Sequence, residues 1–341
     1  MRYSLCVFWF LTSSFGLAQF GVSDRALPNV RYSERLLLRA QSGSPGDEFL
    51  LGFTYATGAG VHQDRLQALY WYRRAANHAD DRASNELGRI YAQGDGVPRD
   101  YQQALAWFRR AASNGSRAAQ SNLATMYFQG LGVPPDPEAA VRLWKRAAER
   151  GSVHAESNLG FAYLTGTGTG NVDSDEAAKL FRKAAKRGFA EAQFNLGYCL
   201  EKGTGVRPNL KEAVTWYRKA SLQGYVSAEV NLGLLYLKGR GLAQDLSEAL
   251  RLLSQAADDG NSKAFVGLAY MYHLGQGVKR DDAIAYSWLQ LAKERGQPEA
   301  DSIQIATDGL SQSQIEEAHL RTENWKAAHA GQNPIDLIPQ K

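Results

Sequence analysis

The chain has 341 residues, 44% of them hydrophobic, with 39 Lys and Arg against 35 Asp and Glu and a formal net charge of +4. Length alone suggests two or three globular domains, and so mild a charge excludes the strong basic footprint of a nucleic-acid binder. Two cysteines, Cys6 and Cys199, are too few for a disulfide framework.

Residues 1–18 read as a secretory signal peptide: Arg2, an apolar run from Leu5 to Leu11, then Gly16-Leu17-Ala18 ahead of Gln19. The run is shorter than the roughly 20 apolar residues that cross a bilayer. A periplasmic or secreted location is expected, with no integral membrane segment after cleavage. Cys6 would leave with the signal, and Cys199 reads as a small buried residue rather than a reactive thiol. Residues 19–32 show no period. Ser33 to Gln41 reads as a lone helix that caps the segment beginning at residue 45, so residues 19–44 form a leader and N-terminal cap.

From residue 45 to 297 one pattern returns seven times. A landmark leucine stands at Leu51, Leu87, Leu123, Leu159, Leu196, Leu232 and Leu268, spaced by 36 residues except for one step of 37. Such a period marks a repeat array. In the second copy Ala83, Leu87 and Tyr91 share one face of a first helix, here helix A. Gly94-Asp95-Gly96-Val97 makes the turn, with Val97 as an apolar plug. Helix B opens on a capping residue, Asp100 with Gln103 three on; Asp64/Gln67, Asp173/Glu176, Asn209/Glu212 and Asp245/Glu248 repeat the signal. In the third copy Asp136 precedes Pro137, a residue suited to a first helical turn. Ala104, Trp107 and Ala111 are expected to face inward, and Gly115 to end the helix.

The run Gly-x-Gly-Val-x-x-Asp, followed by Ala-x-x-Trp-Tyr/Phe-Arg-Lys/Arg-Ala-Ala, resembles the Sel1-like repeat family, a relative of the tetratricopeptide repeat. The resemblance implies an all-α, right-handed α/α superhelical solenoid of about seven helix-turn-helix repeats with terminal capping helices. It also implies a protein-interaction scaffold. Leu143, Leu180 and Leu252 replace the helix B tryptophan, Leu200 the helix A tyrosine, and Ala79 the closing glycine. Beyond the repeats, residues 298–341 are expected to hold capping helices and a tail. Pro298 to Thr307 continues as a last helix A, and Ser311 to Ala328 as a closing helix with Ile315, Ala318, Leu320 and Trp325 as contacts.

No catalytic constellation is legible. Gly166-Thr-Gly168-Thr-Gly170 recurs at the repeat period as a turn, with no Lys-Ser/Thr of a phosphate loop behind it. The six histidines are scattered, so no metal and no cofactor are expected. Asp80-Asp81, Asp258-Asp259 and Asp281-Asp282 fall at helix ends, where capping accounts for them. The Arg/Lys pairs of helix B, from Arg73-Arg74 to Arg218-Lys219, read as a solvated face.

One row stands apart. On helix A, the positions two before, two after and five after the landmark leucine lie opposite it. In the later copies this row is apolar: Phe161, Phe194, Tyr198, Leu234 and Tyr270. Earlier it is polar, with Asn85 and Arg89. Either these side chains line an open groove that binds a protein segment, or curvature packs them against the next helix. The expected function is a non-catalytic protein–protein interaction adaptor of the cell envelope, the seven residues binding a partner. The alternatives are a β-lactamase-like hydrolase, which cysteine-rich relatives suggest, and a glycan- or peptidoglycan-binding module using the same aromatics.

Overall fold

The computed structural model describes residues 30–297 and 309–329. The expected signal peptide, most of the leader, the helix from Pro298 to Thr307 and the C-terminal tail lie outside them. Among the described residues there are sixteen α-helices and no strand. After α1 (Glu34–Gln41), the helices A are α2 (Pro45–Thr57), α4 (Asp81–Gln93), α6 (Arg117–Gln129), α8 (Val153–Thr165), α10 (Ala190–Lys202), α12 (Val226–Lys238) and α14 (Ser262–Leu274). The helices B that alternate with them are α3 (Arg65–Asn77), α5 (Tyr101–Ser113), α7 (Pro137–Glu149), α9 (Ser174–Lys186), α11 (Leu210–Ser221), α13 (Leu246–Asp258) and α15 (Asp282–Glu294). Helix α16 (Gln312–Ala328) closes the series. The chain forms two compact units that part after Arg187: the first holds α1 and four hairpins, the second three hairpins and α16.

The helix starts follow their capping residues. The side chains of Asp64, Asp100, Asp136, Asp173, Asn209 and Asp245 each accept a backbone N–H of the first turn of helix B. Asp281 does the same for α15, which explains one of the paired carboxylates. Val97 packs against the apolar clusters of both the first and the second hairpin, as a plug should.

Within a hairpin the deepest aromatic is not the expected one. Trp107 is half-buried, with the Arg110 guanidinium 5.5 Å from its ring centroid. The next residue, Phe108, is fully buried, with the Cδ1–Cε1 edge of its ring against Gly88 of the facing helix A. Tyr72, Phe181 and Tyr217 take the same position over Gly52, Gly160 and Gly197. The glycine after the landmark leucine thus opens a hole that the helix B aromatic fills. The second turn glycine has a different neighbour: Gly96, at φ +74°, leaves its missing Cβ 2.7 Å from the Cβ of Arg65, where the preceding helix B starts.

The ends are capped as the pattern suggested. Leu36 and Ala40 of α1 are buried with Leu51 and Trp71. On α16, Ala318 and Thr322 are buried, and Thr322 Oγ1 donates to the Ser287 carbonyl at 3.3 Å. Trp325 packs edge-on to Phe265 at 5.1 Å. Leu320, expected to be a contact, instead faces solvent at 61% exposure. It lies two residues from both Ala318 and Thr322, the residues that α16 turns inward.

Candidate partner-binding face

The helix A row divides into two rows with different fates. Residues two before the landmark leucine are buried in every copy but the seventh, where Val266 is half-buried. In the first unit these are Phe49, Asn85, Ser121 and Ser157. Asn85 Oδ1 accepts from Asn122 Nδ2 of the next helix A at 2.9 Å, so its amide knits two repeats and presents no surface. In the second unit Phe194 is 6% exposed, held between the rings of Tyr217 (5.7 Å) and Tyr225 (5.2 Å). The expectation that Asn85 and Phe194 stand open is therefore corrected: both are interior residues.

Most residues two after the leucine remain accessible, Thr125 of the third copy being the buried exception. Phe161, in the first unit, is half-buried and meets Phe128 edge-on at 6.1 Å. Arg89 is also half-buried, its guanidinium donating to Glu86 (2.9 Å) and to Gln93 (2.6 Å) within its own helix. Burial pulls its pKa down, but the Glu86 carboxylate outweighs that and raises it, so the side chain is a fixed cation. In the second unit Tyr198, Leu234 and Tyr270 hold this same position on α10, α12 and α14. Tyr198 and Leu234 are half-buried, and Tyr270 is 43% exposed.

One turn further on, three residues that periodicity alone did not single out share that face: Lys202, Lys238 and Leu274. Leu274 is 46% exposed beside Tyr270, and Lys202 Nζ lies 5.9 Å from the Tyr198 ring centroid. The i, i+4 spacing from the aromatic row was the available signal. At the rim, His273 Nδ1 lies 2.7 Å from Asp282 Oδ1, and Arg280 bonds the other oxygen at 2.9 Å. Desolvation pushes the Asp282 carboxyl up, but hydrogen bonds from Arg280 and His273 win and hold it below the usual range.

Elsewhere the ionisable groups serve packing. Cys199 is fully buried, and burial pushes its thiol up to about 12. The Tyr217 hydroxyl, raised mainly by burial, donates to Glu201 Oε2 at 3.0 Å. Among the described residues no group of three His, Cys, Asp or Glu is placed to hold a metal ion. None of the described helices is long and apolar enough to cross a membrane. What the open row offers is apolar and aromatic contact, with lysines at its margin.

Two solved structures share this architecture. A Sel1 repeat protein from Oxalobacter formigenes is 28% identical, with a TM-score of 0.59, covering 90% of this chain and 92% of its own. A protective antigen of uropathogenic Escherichia coli strains, displaying an SLR fold, is 27% identical with a TM-score of 0.51, covering 90% of this chain and 74% of that one. No curated protein matches the chain. Proteins built of Sel1 and tetratricopeptide-like repeats generally mediate protein–protein interactions, and such scaffolds are typically non-catalytic. The Sel1 repeat model matches seven times, at residues 48–80, 81–116, 117–152, 153–189, 190–225, 226–261 and 263–297, and the chain accordingly belongs to the Sel1 repeat family.

Proposed function

We propose that this protein is a non-catalytic adaptor, exported to the periplasm or beyond, that binds an apolar segment of a partner protein on the helix A face of its second unit. The observation that carries this reading is the exposure of Tyr270 and Leu274 on α14, beside Leu234 and Tyr198 at the same register. Large apolar side chains left in water are what a binding surface retains and a packed core does not. Phe161 offers a similar, smaller contact in the first unit. Export rests on the signal-like residues 1–18. The protective antigen among the similar structures is in keeping with it.

The test is a photo-crosslinking residue placed at Tyr270 in cells, with a control at Tyr70, which is 51% exposed on α3. A discrete protein adduct from position 270, absent from position 70, is expected. It should vanish when Tyr198→Ala and Leu234→Ala are added, with helicity unchanged. Identical adducts at both positions, or none at either, would overturn the reading. Fractionation with N-terminal sequencing tests export, expecting a mature chain that starts at Gln19.

A further inference from the structure

The first unit carries a second surface, independent of the aromatic row, where the helices B of its third and fourth hairpins end. The last turns of α7 and α9 bring Arg146, Arg150, Lys183, Lys186 and Arg187 to this edge, and Arg117 joins them from the start of α6. These residues are brought together by the glycine turns. Arg187 and Arg117 each place an Nη1 within 4.0 Å of where a Gly151 Cβ would stand. Arg117 Nη1 also donates to the Arg150 carbonyl at 2.9 Å, and the Arg150 guanidinium lies 3.4 Å from the corresponding point on Gly115.

The buried Glu156 carboxylate takes both Lys183 (2.9 Å) and Arg187 (3.5 Å), which leaves one positive charge in excess. Arg146, Arg150 and Lys186 are exposed and form no ion pair among the described residues. On α7 itself Glu149 is exposed, and one repeat back Asp81 is tied to Asn114 at 2.8 Å. Cations at helix C-termini do complement the macrodipole. That accounts for Arg146, Lys183 and Lys186 one at a time, and the Arg117 bond to the Arg150 carbonyl does the same for the end of α7, but the fold gathers these separate cations on one edge.

We infer that this edge docks an acidic polypeptide segment. Guanidinium groups match carboxylates two oxygens at a time. The helix C-terminal carbonyls and Glu149 interrupt the positive field. An edge broken up in this way suits separated carboxylates on a flexible chain better than a continuous run of phosphates or sulfates.

The test measures binding of a fluorescein-labelled peptide of alternating glutamate and glycine to the full chain at low salt. Arg146→Glu, Arg150→Glu and Lys186→Glu together should weaken binding by about tenfold or more, as expected for loss of a localised charge patch. The control triple Arg207→Glu, Lys211→Glu and Arg240→Glu makes the same change in net charge at exposed residues of the second unit and should leave binding within about twofold. Circular dichroism checks that both triples stay folded. Equal losses in the two triples would reduce the effect to net charge and overturn the inference, as would failure of the unaltered protein to bind. Tighter binding of a heparin oligosaccharide than of the peptide would also overturn it, by assigning the edge to a polyanion.

Discussion

Phe108 and Gly88 are in contact along the whole ring edge: a Cβ on Gly88 would meet the Cδ1 and Cε1 carbons of Phe108 at 2.5 Å. Phe108 is fully buried and cannot retreat without opening the second hairpin. Gly88→Ala therefore gains helix propensity, worth about 1 kcal/mol, and loses more to overpacking, about 1–3 kcal/mol. A net destabilisation is expected in a denaturant titration. Gly46→Ala on α2 is the control, since its nearest neighbour would be Arg82 Nη2 at 3.7 Å. That variant should be neutral or slightly more stable. Equal effects at the two sites would refute the role given to the ring.

Ala79 stands where other copies close on glycine, and among the described residues it is the one non-glycine with positive φ, at 65°. A Cβ in the left-handed region costs about 1–2 kcal/mol. Replacing Ala with Gly costs about 0.4–1 kcal/mol through the freer unfolded chain. The first effect is the larger, so Ala79→Gly should stabilise the protein by about 0.5–1 kcal/mol. A fall in melting temperature would show that Ala79 is held there without strain.

How far the sequence could be read depended on whether an effect was local. Leu87 and Asp100 act through their own helix, so period and cap chemistry were enough to give the alternation of helices A and B. The Trp107 and Phe108 assignment failed because adjacent residues differ by about 100° on a helix, and the deciding partner, Gly88, lies on the other helix. The candidate face failed at Asn85 and Phe194 for a similar reason. Phe194 and Tyr198 differ by about 40° around α10, too little for periodicity to part them. Yet Tyr217 and Tyr225 cover the first and leave the second accessible.

Cys199 should be inert in the native protein. Its thiol is buried and pushed up to about 12, against about 8.5 for a free cysteine. Near neutral pH almost no thiolate exists to attack a disulfide reagent. A chain lacking residues 1–18 should release no chromophore from Ellman's reagent while folded, and one equivalent of it in denaturant. Rapid native reaction would mean that α10 opens readily.

Glu229 on α12 occupies the position three before the landmark leucine, and its counterparts show what it lacks. Glu48 is buried against Arg74 (3.0 Å) and His78 (2.8 Å), and Glu156 against Lys183 and Arg187. Where those cations stand, the sixth repeat has Gln255 and Asp259. Gln255 Nε2 donates to Glu229 Oε1 at 2.9 Å, while Oε2 is buried with no partner. Desolvation, with the Asp259 charge adding to it, raises the Glu229 pKa. Between the ordinary glutamate value of about 4.3 and that raised value, the folded protein holds a proton that the unfolded chain has released. Stability therefore falls as pH rises through this window, and the ionised carboxylate remains a penalty above it. Glu229→Gln keeps the shape and the hydrogen bond from Gln255 without the charge. It should melt higher than the unaltered protein at neutral pH, with the gain shrinking towards zero as pH falls below about 4.3. A difference in melting temperature that stays constant across pH would show that Glu229 is not the group responsible.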